Sequence, residues 1–348
     1  MITGGAGFIG SNLVHHLLAH SDKKLLIVDK LTYAGNLNSL QGALGQPRVQ
    51  WLQADIADAK AMQRCLLEHR PECLIHLAAE THVDRSIEDS APFLQTNVLG
   101  TAALLEACRL LLRESSGLRE RFRFLQVSTD EVFGSLSAQD PAWREDSPHA
   151  PRSPYSASKA AADHLVMAWH HTHGLPAMIA HCCNAYGPRQ YPEKLIPLCL
   201  LKMLRGEPIP VYGSGDNQRQ WIHVQDLCRG LHRLADCGQL GRSYALCGGP
   251  SLPNLELIRQ LCQLMDEALN PQSPLESLIT HVVDRPGHDW RYEMDNSLTR
   301  AALNWQPSLS LRDGLRQTRD WYLQQSDWWQ PLWNEALKRR GATGLLLP

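Results

Sequence analysis

The sequence predicts an α/β protein built on a doubly wound parallel sheet, with a smaller α/β lobe that binds the substrate. Three observations lead to this fold class. Short apolar runs alternate with longer helical runs up to about residue 180, a glycine-rich turn opens the chain, and the texture changes after Gly187. Alternating strands and helices are typical of a parallel sheet covered by helices on both faces.

Four short runs rich in Leu, Val and Ile are predicted to be buried strands: Leu25–Val28, Val49–Leu52, Cys73–Leu77 and Phe124–Val127. The longer stretches between or before them are predicted to be helices: Ser11–Ala19, Ala59–His69 and Val98–Leu112. Strands buried on both faces read as nearly continuous apolar runs, and these runs do.

The glycine-rich turn is Thr3-Gly4-Gly5-Ala6-Gly7-Phe8-Ile9-Gly10. Glycines at these positions let the backbone approach a pyrophosphate, and the following helix presents free N–H groups to it. Asp29 ends the Leu25–Val28 strand 19 residues after Gly10. A carboxylate there can hold a ribose 2′-hydroxyl and repels a 2′-phosphate, which favours NAD over NADP. Only Met1 and Ile2 precede Thr3, so a short first strand is expected.

The domain division follows from this turn and from the prolines that break the alternation after Gly187. We expect residues 1–186, with a return segment at about 219–247, to form the Rossmann-type NAD-binding domain. Residues 187–218 and 248–348 are expected to form the smaller, substrate-binding lobe.

Composition excludes several classes of protein. The 348 residues are 43% apolar and 20% charged, with a net charge of −2, so the basic excess of nucleic-acid-binding proteins is missing. No apolar run reaches the roughly 18 residues of a membrane span, and no secretory leader is recognised at the N-terminus. Ten cysteines without a C-x-x-C pair indicate reduced thiols and a cytoplasmic protein.

The sequence does not favour a zinc site. The candidate ligands are His170, His171, His173, His181, Cys182 and Cys183. Their spacing matches no standard zinc site. A polar helix end followed by a buried strand accounts for them, so we predict no metal.

Two stretches carry candidate catalytic residues. Ser128-Thr129-Asp130-Glu131 follows the Phe124–Val127 strand, and Tyr155-Ser156-Ala157-Ser158-Lys159 places Tyr and Lys four residues apart. On a helix that spacing puts both side chains on one face. A lysine ammonium and an oxidised nicotinamide both favour tyrosinate, so Tyr155 is a candidate base. Adjacent strand residues face opposite ways, so a paired Asp130 and Glu131 require that the strand has ended.

Taken together these motifs resemble the extended short-chain dehydrogenase/reductase family, and within it the dTDP-glucose 4,6-dehydratases. The resemblance covers nearly the whole chain. The stretches that carry it are Asp29–Asn36, Asp55-Ile56, Leu77–Glu80, Ser128–Val132, Tyr155…Lys159, Tyr186–Pro188, Pro192–Pro197 and Asp284–His288.

The resemblance implies a site for each ligand. The implied NAD-binding residues are Gly4, Gly7, Phe8, Ile9, Gly10, Asp29, Lys30, Leu31, Thr32, Asp55, Ile56, Leu77, Ala78, Ala79, Glu80, Thr96, Tyr155, Lys159 and Ala185. The implied residues for the substrate, dTDP-glucose, are Thr81, Asn184, Lys194, Leu195, Pro210, Tyr212, Arg219, Asn254, Arg285 and His288. Arginines suit a diphosphate and a tyrosine can stack on a base.

The resemblance also implies a mechanism. Tyr155 takes the 4-hydroxyl proton while hydride leaves C4 for NAD, and Thr129 holds the same oxygen. Glu131 then removes the C5 proton, Asp130 protonates the departing C6 hydroxyl, and hydride returns to C6. Lys159 supports Tyr155. Crowding two carboxyls raises the pKa of one of them, as an acid/base pair requires.

Alternatives stay open at this point. A sugar-nucleotide 4-epimerase or a uronate decarboxylase would not need the acid/base pair. GDP-mannose 4,6-dehydratases usually have Ser at the position of Asp130. A catalytically silent, NAD-bound binding protein is the alternative of another class. Its support is the short first strand and Ala185, which replaces a second Asn that usually helps hold the nicotinamide; Phe133 replaces a usual Tyr.

The family also implies the assembly. Helices over Val98–Leu112 and Tyr155–Trp169 of two subunits commonly form a four-helix bundle. The apolar residues taken as surplus to one sheet face are Leu104, Leu105, Cys108, Leu111, Leu112, Leu165, Val166 and Trp169. We therefore expect a homodimer, with neither nucleic acid nor membrane as a partner.

Overall fold

The computed structural model describes residues 1–284 and 286–342. The strands in these residues are β1 (Ile2–Thr3), β2 (Leu25–Asp29), β3 (Val49–Gln53), β4 (Cys73–His76), β5 (Arg123–Thr129), β6 (Ala177–Cys182), β7 (Asn184–Tyr186), β8 (Ile209–Tyr212), β9 (Gln218–Arg219), β10 (Trp221–His223), β11 (Ser243–Leu246), β12 (Leu252–Pro253) and β13 (Ile279–Val282).

The α-helices in the same residues are α1 (Phe8–His20), α2 (Ala59–His69), α3 (Val83–Glu88), α4 (Ala91–Phe93), α5 (Thr101–Glu114), α6 (Pro154–His173), α7 (Leu195–Arg205), α8 (Val224–Cys237), α9 (Asn254–Leu269), α10 (Ser297–Leu303), α11 (Leu311–Gln324) and α12 (Ser326–Ala342). A π-helical segment, Leu94–Gly100, joins α4 to α5.

Seven strands form one parallel sheet in the order β3-β2-β1-β4-β5-β6-β11. The order reverses direction between β1 and β4, and ligands of such sheets bind in the crevice at the carboxyl ends of the strands at that point. The predicted doubly wound parallel sheet is confirmed. All four predicted strands are present, with ends displaced by one or two residues.

Helix α2 has the predicted bounds, whereas the predicted Val98–Leu112 helix begins in the π-helical segment. Asn97 in that segment is buried and fixed at both ends of its side chain. Its Oδ1 accepts from the Glu80 N–H at 2.9 Å, and its Nδ2 donates to the Glu80 carbonyl at 3.0 Å. The π-helical turn thus ties this helix to the loop after β4. The apolar periodicity of the sequence does not predict this polar contact.

The short central strand β1 is held by side chains as well as by its neighbours. Ile2 and Thr3 are buried and pair with β2 and β4. The Thr3 hydroxyl lies 2.7 Å from His76 Nδ1, and His76 Nε2 lies 3.0 Å from the Thr101 hydroxyl. Burial lowers the pKa of His76 to about 3, so this bridge between β1, β4 and α5 is uncharged.

The glycine turn between β1 and α1 is packed against backbone. Gly4 has φ +70°, and a Cβ there would lie 2.6 Å from the Ala78 nitrogen. A Cβ on Gly10, in the first turn of α1, would collide with the Gly4 carbonyl oxygen. Both positions therefore require glycine, and the backbone of the turn stays open toward the crevice.

The remaining strands form three two-stranded sheets, β10-β7, β12-β9 and β13-β8. A separate apolar core lies among α7, α9, α11 and α12. Trp328, Trp329 and Trp333 are buried in this core. The chain crosses back through α8, which packs on α1, before β11 pairs with β6 in the large sheet.

None of the helices in residues 1–284 and 286–342 combines the length and the hydropathy of a membrane span.

Replacing Gly10 with Ala tests the packing of the turn. The added methyl meets the Gly4 carbonyl, so we expect a loss of about 1–3 kcal/mol of stability and less co-purified NAD. Calorimetry and chromatographic measurement of bound nucleotide check both effects. Gly117→Ala is the matched control, because a Cβ there meets nothing within 4 Å. A Gly10→Ala variant that retains the parent's melting temperature and nucleotide content would contradict the account.

Candidate active site

The carboxyl end of β5 places the first catalytic candidates. β5 ends at Thr129, and a 3-10 turn spans Asp130–Phe133, as a paired Asp130 and Glu131 require. The Thr129 hydroxyl accepts from the Glu131 N–H at 3.3 Å and donates to Asp130 Oδ1 at 3.2 Å. Thr129 therefore fixes the backbone of the turn and one oxygen of Asp130.

The two carboxyls have different surroundings. Asp130 is 2% exposed, and its Oδ2 has no hydrogen-bond partner among the described residues. Burial, followed by the charge of Glu131, raises the pKa of Asp130 to about 8, and Arg219 opposes the rise. Asp130 is therefore protonated at neutral pH. Glu131 is only half-buried, so two adjacent carboxyls are suited to opposite tasks.

Tyr155 and Lys159 lie on the buried face of α6, as their spacing predicts. The Thr129 side chain lies near the Tyr155 hydroxyl and lowers the pKa of that phenol by favouring its ionised form. Lys159 Nζ donates to the Val127 carbonyl at 2.9 Å. Burial and the two carboxyls raise the pKa of Tyr155 well above its ordinary value, so ionisation of this phenol depends on nearby positive charge.

A cavity of about 300 Å³ opens at the carboxyl ends of β1, β2, β4 and β5. The predicted NAD residues that line it are Gly4, Gly7, Phe8, Ile9, Gly10, Asp29, Lys30, Thr32, Ile56, Leu77, Ala78, Ala79, Glu80, Thr96, Tyr155 and Ala185. Leu31, Asp55 and Lys159 are not among its lining residues: Leu31 packs on the core, Asp55 caps a turn at Ala57, and Lys159 lies behind Tyr155 on α6.

Polar contacts organise the wall of this cavity. Asp29 accepts from the N–H groups of Ala6 at 3.0 Å and Leu31 at 2.8 Å, which ties the end of β2 to the glycine turn. Lys30 Nζ donates to Thr96 at 2.9 Å and lies 3.6 Å from Asp55. Asp55 therefore acts on the cavity through Lys30.

A second cavity of about 230 Å³ lies between the sheet edge and the smaller lobe. Every described residue of the predicted substrate set lines it: Thr81, Asn184, Lys194, Leu195, Pro210, Tyr212, Arg219, Asn254 and His288. Arg285, the remaining member, lies outside the described residues.

Arg219 is held in place by carbonyls of a neighbouring segment. Its guanidinium donates to the Asp289 carbonyl at 3.0 Å and lies 4.0 Å from the centre of the Tyr292 ring. Tyr212 and His288 face each other edge to face at 6.2 Å across the same cavity. A fixed cation and an aromatic wall are the features that a nucleoside diphosphate requires.

The two cavities meet at one wall. The residues that line both are Thr81, Glu131, Asn184, Glu193 and Lys194. Tyr155 and Thr129 line the first cavity close to this junction. Asp130 is not among the residues that line these two cavities. Its chain neighbours Thr129 and Glu131 do line the first cavity, so Asp130 lies next to the junction. A ring bound at the junction therefore meets Glu131 and the Tyr155–Thr129 pair together.

Sequence reasoning missed one polar hub at the junction. Glu193 is buried and accepts from the Tyr33 hydroxyl at 2.9 Å and from Arg85 at 3.3 Å, and Arg85 also lies over the Tyr33 ring. Tyr33 and Glu193 both stand inside motifs quoted for the family resemblance, so the motifs held the signal. Arg85 lies in no motif, and only the fold brings it to Glu193.

The structure also places two other residues that the sequence analysis named, His181 and Ala185. His181, weighed as a zinc ligand, lies with His149 and Asp163 rather than with the other candidates. Ala185 lines the first cavity, and its carbonyl accepts from Gln190 Nε2 at 2.9 Å. Gln190 lines the same cavity and is a second missed residue; no motif marks it.

The comparisons with known proteins agree with this geometry. A family model described as GDP-mannose 4,6 dehydratase matches residues 1–318. A dTDP-glucose 4,6-dehydratase of Neisseria meningitidis serogroup B is 46% identical over 344 residues, 97% of each chain. The dTDP-glucose 4,6-dehydratase DesIV from Streptomyces venezuelae, solved with NAD bound, is 40% identical with a TM-score of 0.86, covering 95% of this chain and 98% of its own. A UDP-glucose 4-epimerase of Thermotoga maritima is 26% identical with a TM-score of 0.80, at 93% and 98% coverage.

The pKa of Asp130 predicts a pH-dependent stability. The folded protein holds the Asp130 proton up to about pH 8, whereas the unfolded chain releases it near 3.8. Stability attributable to this proton is therefore lost as the pH rises between those values. Asp130→Asn carries no such proton, so its melting temperature relative to the parent should rise from about pH 5 to about pH 9.

Differential scanning calorimetry across that range measures the effect. The exposed Asp22→Asn is the control, with no comparable trend expected. A constant difference between parent and Asp130→Asn at every pH would show that Asp130 is ionised in the folded protein.

Proposed function

This chain belongs to the dTDP-glucose 4,6-dehydratase family, and from that membership we propose that it converts dTDP-glucose into dTDP-4-keto-6-deoxyglucose. The enzyme is an NAD-dependent hydro-lyase. The observation that carries the proposal is the junction of the two cavities, where Glu131 stands beside the buried, protonated Asp130 and the Tyr155–Thr129 pair.

The first cavity suits NAD. Gly4 and Gly10 form a cradle that a Cβ would fill, and α1 starts at Phe8 without a side-chain cap on its N–H groups. These free donors suit a pyrophosphate. The Asp29 carboxylate at the end of β2 suits a ribose hydroxyl. NAD held there would supply the hydride acceptor for the oxidation at C4 and the hydride donor for the reduction at C6.

Oxidation at C4 begins with proton transfer to Tyr155. Thr129 lies near the Tyr155 hydroxyl and can hold the same sugar oxygen. Lys159, on the same helix face, provides positive charge that favours the tyrosinate. Asp130 is uncharged at neutral pH, which removes one of the three negative charges, those of Glu131, Asp130 and Asp163, that oppose ionisation of Tyr155.

Loss of water then uses the carboxyl pair. The 4-ketone acidifies the C5 proton, which Glu131 removes as the base. Asp130 gives its proton to the leaving C6 hydroxyl, so water departs without forming hydroxide. The raised pKa of Asp130 keeps that proton available at neutral pH.

Within the structural superfamily the carboxyl pair favours dehydration over the alternatives. A 4-epimerase needs only oxidation and re-reduction at C4, for which Tyr155 and Lys159 suffice. A catalytically silent binding protein has no use for a protonated acid beside a base. Ala185, which lines the first cavity without a side-chain amide, was the support for that alternative.

The residues that line the two cavities support a division of the chain into two parts. We propose residues 1–186 with 219–247 as the NAD-binding domain and residues 187–218 with 248–348 as the sugar-nucleotide-binding lobe. The supporting observation is that the first cavity is lined almost wholly from the first set, whereas Leu195, Tyr212, Asn254 and His288 line the second. We also propose that the protein is cytoplasmic, since all ten cysteines lie in the described residues and none of them forms a disulfide.

We also propose a homodimer, but with an interface formed by other residues than the sequence predicts. Leu104, Leu105, Cys108, Leu111 and Leu112 are buried within the single chain against α2 and the sheet, so they are not surplus surface. Two exposed apolar residues that adjoin these helices are Leu94 and Leu99, 50% and 56% exposed, in the π-helical segment that packs on α6. These are the residues we assign to a subunit interface, and light scattering at micromolar concentration reports the state.

Incubation with dTDP-glucose tests the proposed function. We expect a 4-keto-6-deoxy product with its alkali-induced chromophore, and little product from UDP- or GDP-glucose. Asp130→Asn and Glu131→Gln should each lower product formation by about 100-fold or more, since each loses one proton transfer. Both should still reduce bound NAD when substrate is added, because Tyr155 is intact.

Glu256→Gln is the control, an exposed carboxyl in the first turn of α9. Epimerised dTDP-galactose as the product would replace the proposal with an epimerase. Absence of both product and NAD reduction with every sugar nucleotide would favour the silent binding protein.

A further inference from the structure

A buried carboxylate, Asp163, lies directly behind the catalytic candidates. Its side chain is fully enclosed, and Oδ2 accepts from the Ser128 hydroxyl at 2.6 Å. His181 Nε2, on β6, lies 3.3 Å from the same oxygen. No step of the proposed reaction uses Asp163, although a buried carboxylate is costly to keep unless it is tied to partners.

Asp163 stands one helical turn after Lys159 on α6. Lys159 Nζ donates to the Val127 carbonyl, and Asp163 accepts from Ser128, the next residue of β5. Two successive turns of α6 are thus fastened to two successive residues of β5. The residue that follows them is Thr129, whose side chain lies near the Tyr155 hydroxyl.

The titratable groups that interact with Asp163 are Lys159 and Tyr155 on α6, His181 and Cys182 on β6, and His149 in the loop before α6. His164 interacts with His149, His76 on β4 interacts with Lys159, and Asp130 and Glu131 interact with Tyr155. These groups differ in their charge near neutral pH. Lys159 is the ammonium that shares its helix face. The pKa of His76 is about 3, and burial raises the pKa of the Cys182 thiol, so both are uncharged near neutral pH.

We propose that Asp163 is a positioning residue that acts through Lys159: it docks α6 on the end of β5 and supplies the negative charge that keeps the Lys159 ammonium protonated beside Tyr155. His181 and Ser128 hold the carboxylate in place from β6 and β5. The inference rests on the proposed function, because it assigns a role in the oxidation at C4.

The electrostatics point the same way. Burial lowers the pKa of Lys159, and Asp163 is the carboxylate that opposes this fall. Without it a buried lysine sheds its proton at a lower pH. Tyr155, whose pKa is already raised by burial and by Glu131, would then lose the cation that favours its ionised form.

The oxidation step can be isolated with dTDP-6-deoxyglucose. This sugar carries the 4-hydroxyl and C4–H but has no C6 hydroxyl to lose. C4–H leaves as hydride to bound NAD, and the 4-hydroxyl proton goes to Tyr155, so the absorbance of reduced nicotinamide reports the step. Because no hydroxyl leaves C6, Asp130 has no proton to deliver in this half-reaction. Rapid mixing with the holoenzyme between about pH 6 and pH 10.5 gives the rate as a function of pH.

Asp163→Asn keeps an acceptor for Ser128 and removes the charge. We expect the basic limb of its pH–rate profile to move down by about one pH unit or more, as Lys159 deprotonates earlier. The acidic limb should stay in place or move slightly down, since Asp163 itself raises the pKa of Tyr155. Asp163→Glu, which retains the charge, should keep the basic limb within a few tenths of the parent.

Asp226→Asn is the matched control. Asp226 is another buried carboxylate, on α8, and it accepts from the Ser308 and Leu309 N–H groups. Its loss should lower stability without moving either limb. If Asp163→Asn does not fold, Ser128→Ala serves instead, with a smaller shift in the same direction because the carboxylate loses one anchor.

The outcomes are separable. A uniform fall in rate with unmoved limbs in Asp163→Asn, or an unmoved basic limb in Ser128→Ala, would make Asp163 a structural residue only and overturn the inference. If the parent enzyme itself forms no reduced nicotinamide from the 6-deoxy sugar, the proposed function is wrong, and the inference falls with it.

Discussion

The docking of helix α6 on the carboxyl end of β5 is the constraint on which the active site depends. Tyr155 comes from the helix, whereas Thr129, Asp130 and Glu131 come from the end of the strand. The Lys159–Val127 hydrogen bond, at 2.9 Å, fixes the register between the two elements. A helix displaced by one turn would move Tyr155 by about 5.4 Å, which would separate the phenol from Thr129 and from a sugar at the junction of the cavities.

Burial gives this arrangement its chemistry. Within one turn of chain, Asp130 is enclosed and holds its proton to about pH 8, while Glu131 faces both cavities. The same burial raises the pKa of Tyr155 and lowers the pKa of Lys159. In the proposed reaction, the positive charge of Lys159 offsets the negative charge of the carboxyls around Tyr155, which allows an acid, a base and a phenol to share this small volume.

The local pattern of the sequence predicts most of the sheet and much of the site. Strand ends fall within a residue or two because apolar runs report burial. Thr129 ends one of these strands, and the spacing of Tyr155 and Lys159 places both on one face of α6. What escaped prediction depends on contacts between distant segments. Arg85 meets Glu193 and Asp163 meets Ser128 only after folding. The apolar residues of α5 were wrongly taken as surplus, because periodicity does not show that α2 already covers them.

The most direct test of the account is the fate of the hydrogen at C4. With dTDP-glucose carrying deuterium at C4, the proposed mechanism predicts that the label reappears on C6 of the same molecule, while C5 acquires hydrogen from solvent. Nuclear magnetic resonance of the product reads both positions. Label that returns to C4, or that is lost to water, would contradict the intramolecular sequence of oxidation, dehydration and reduction.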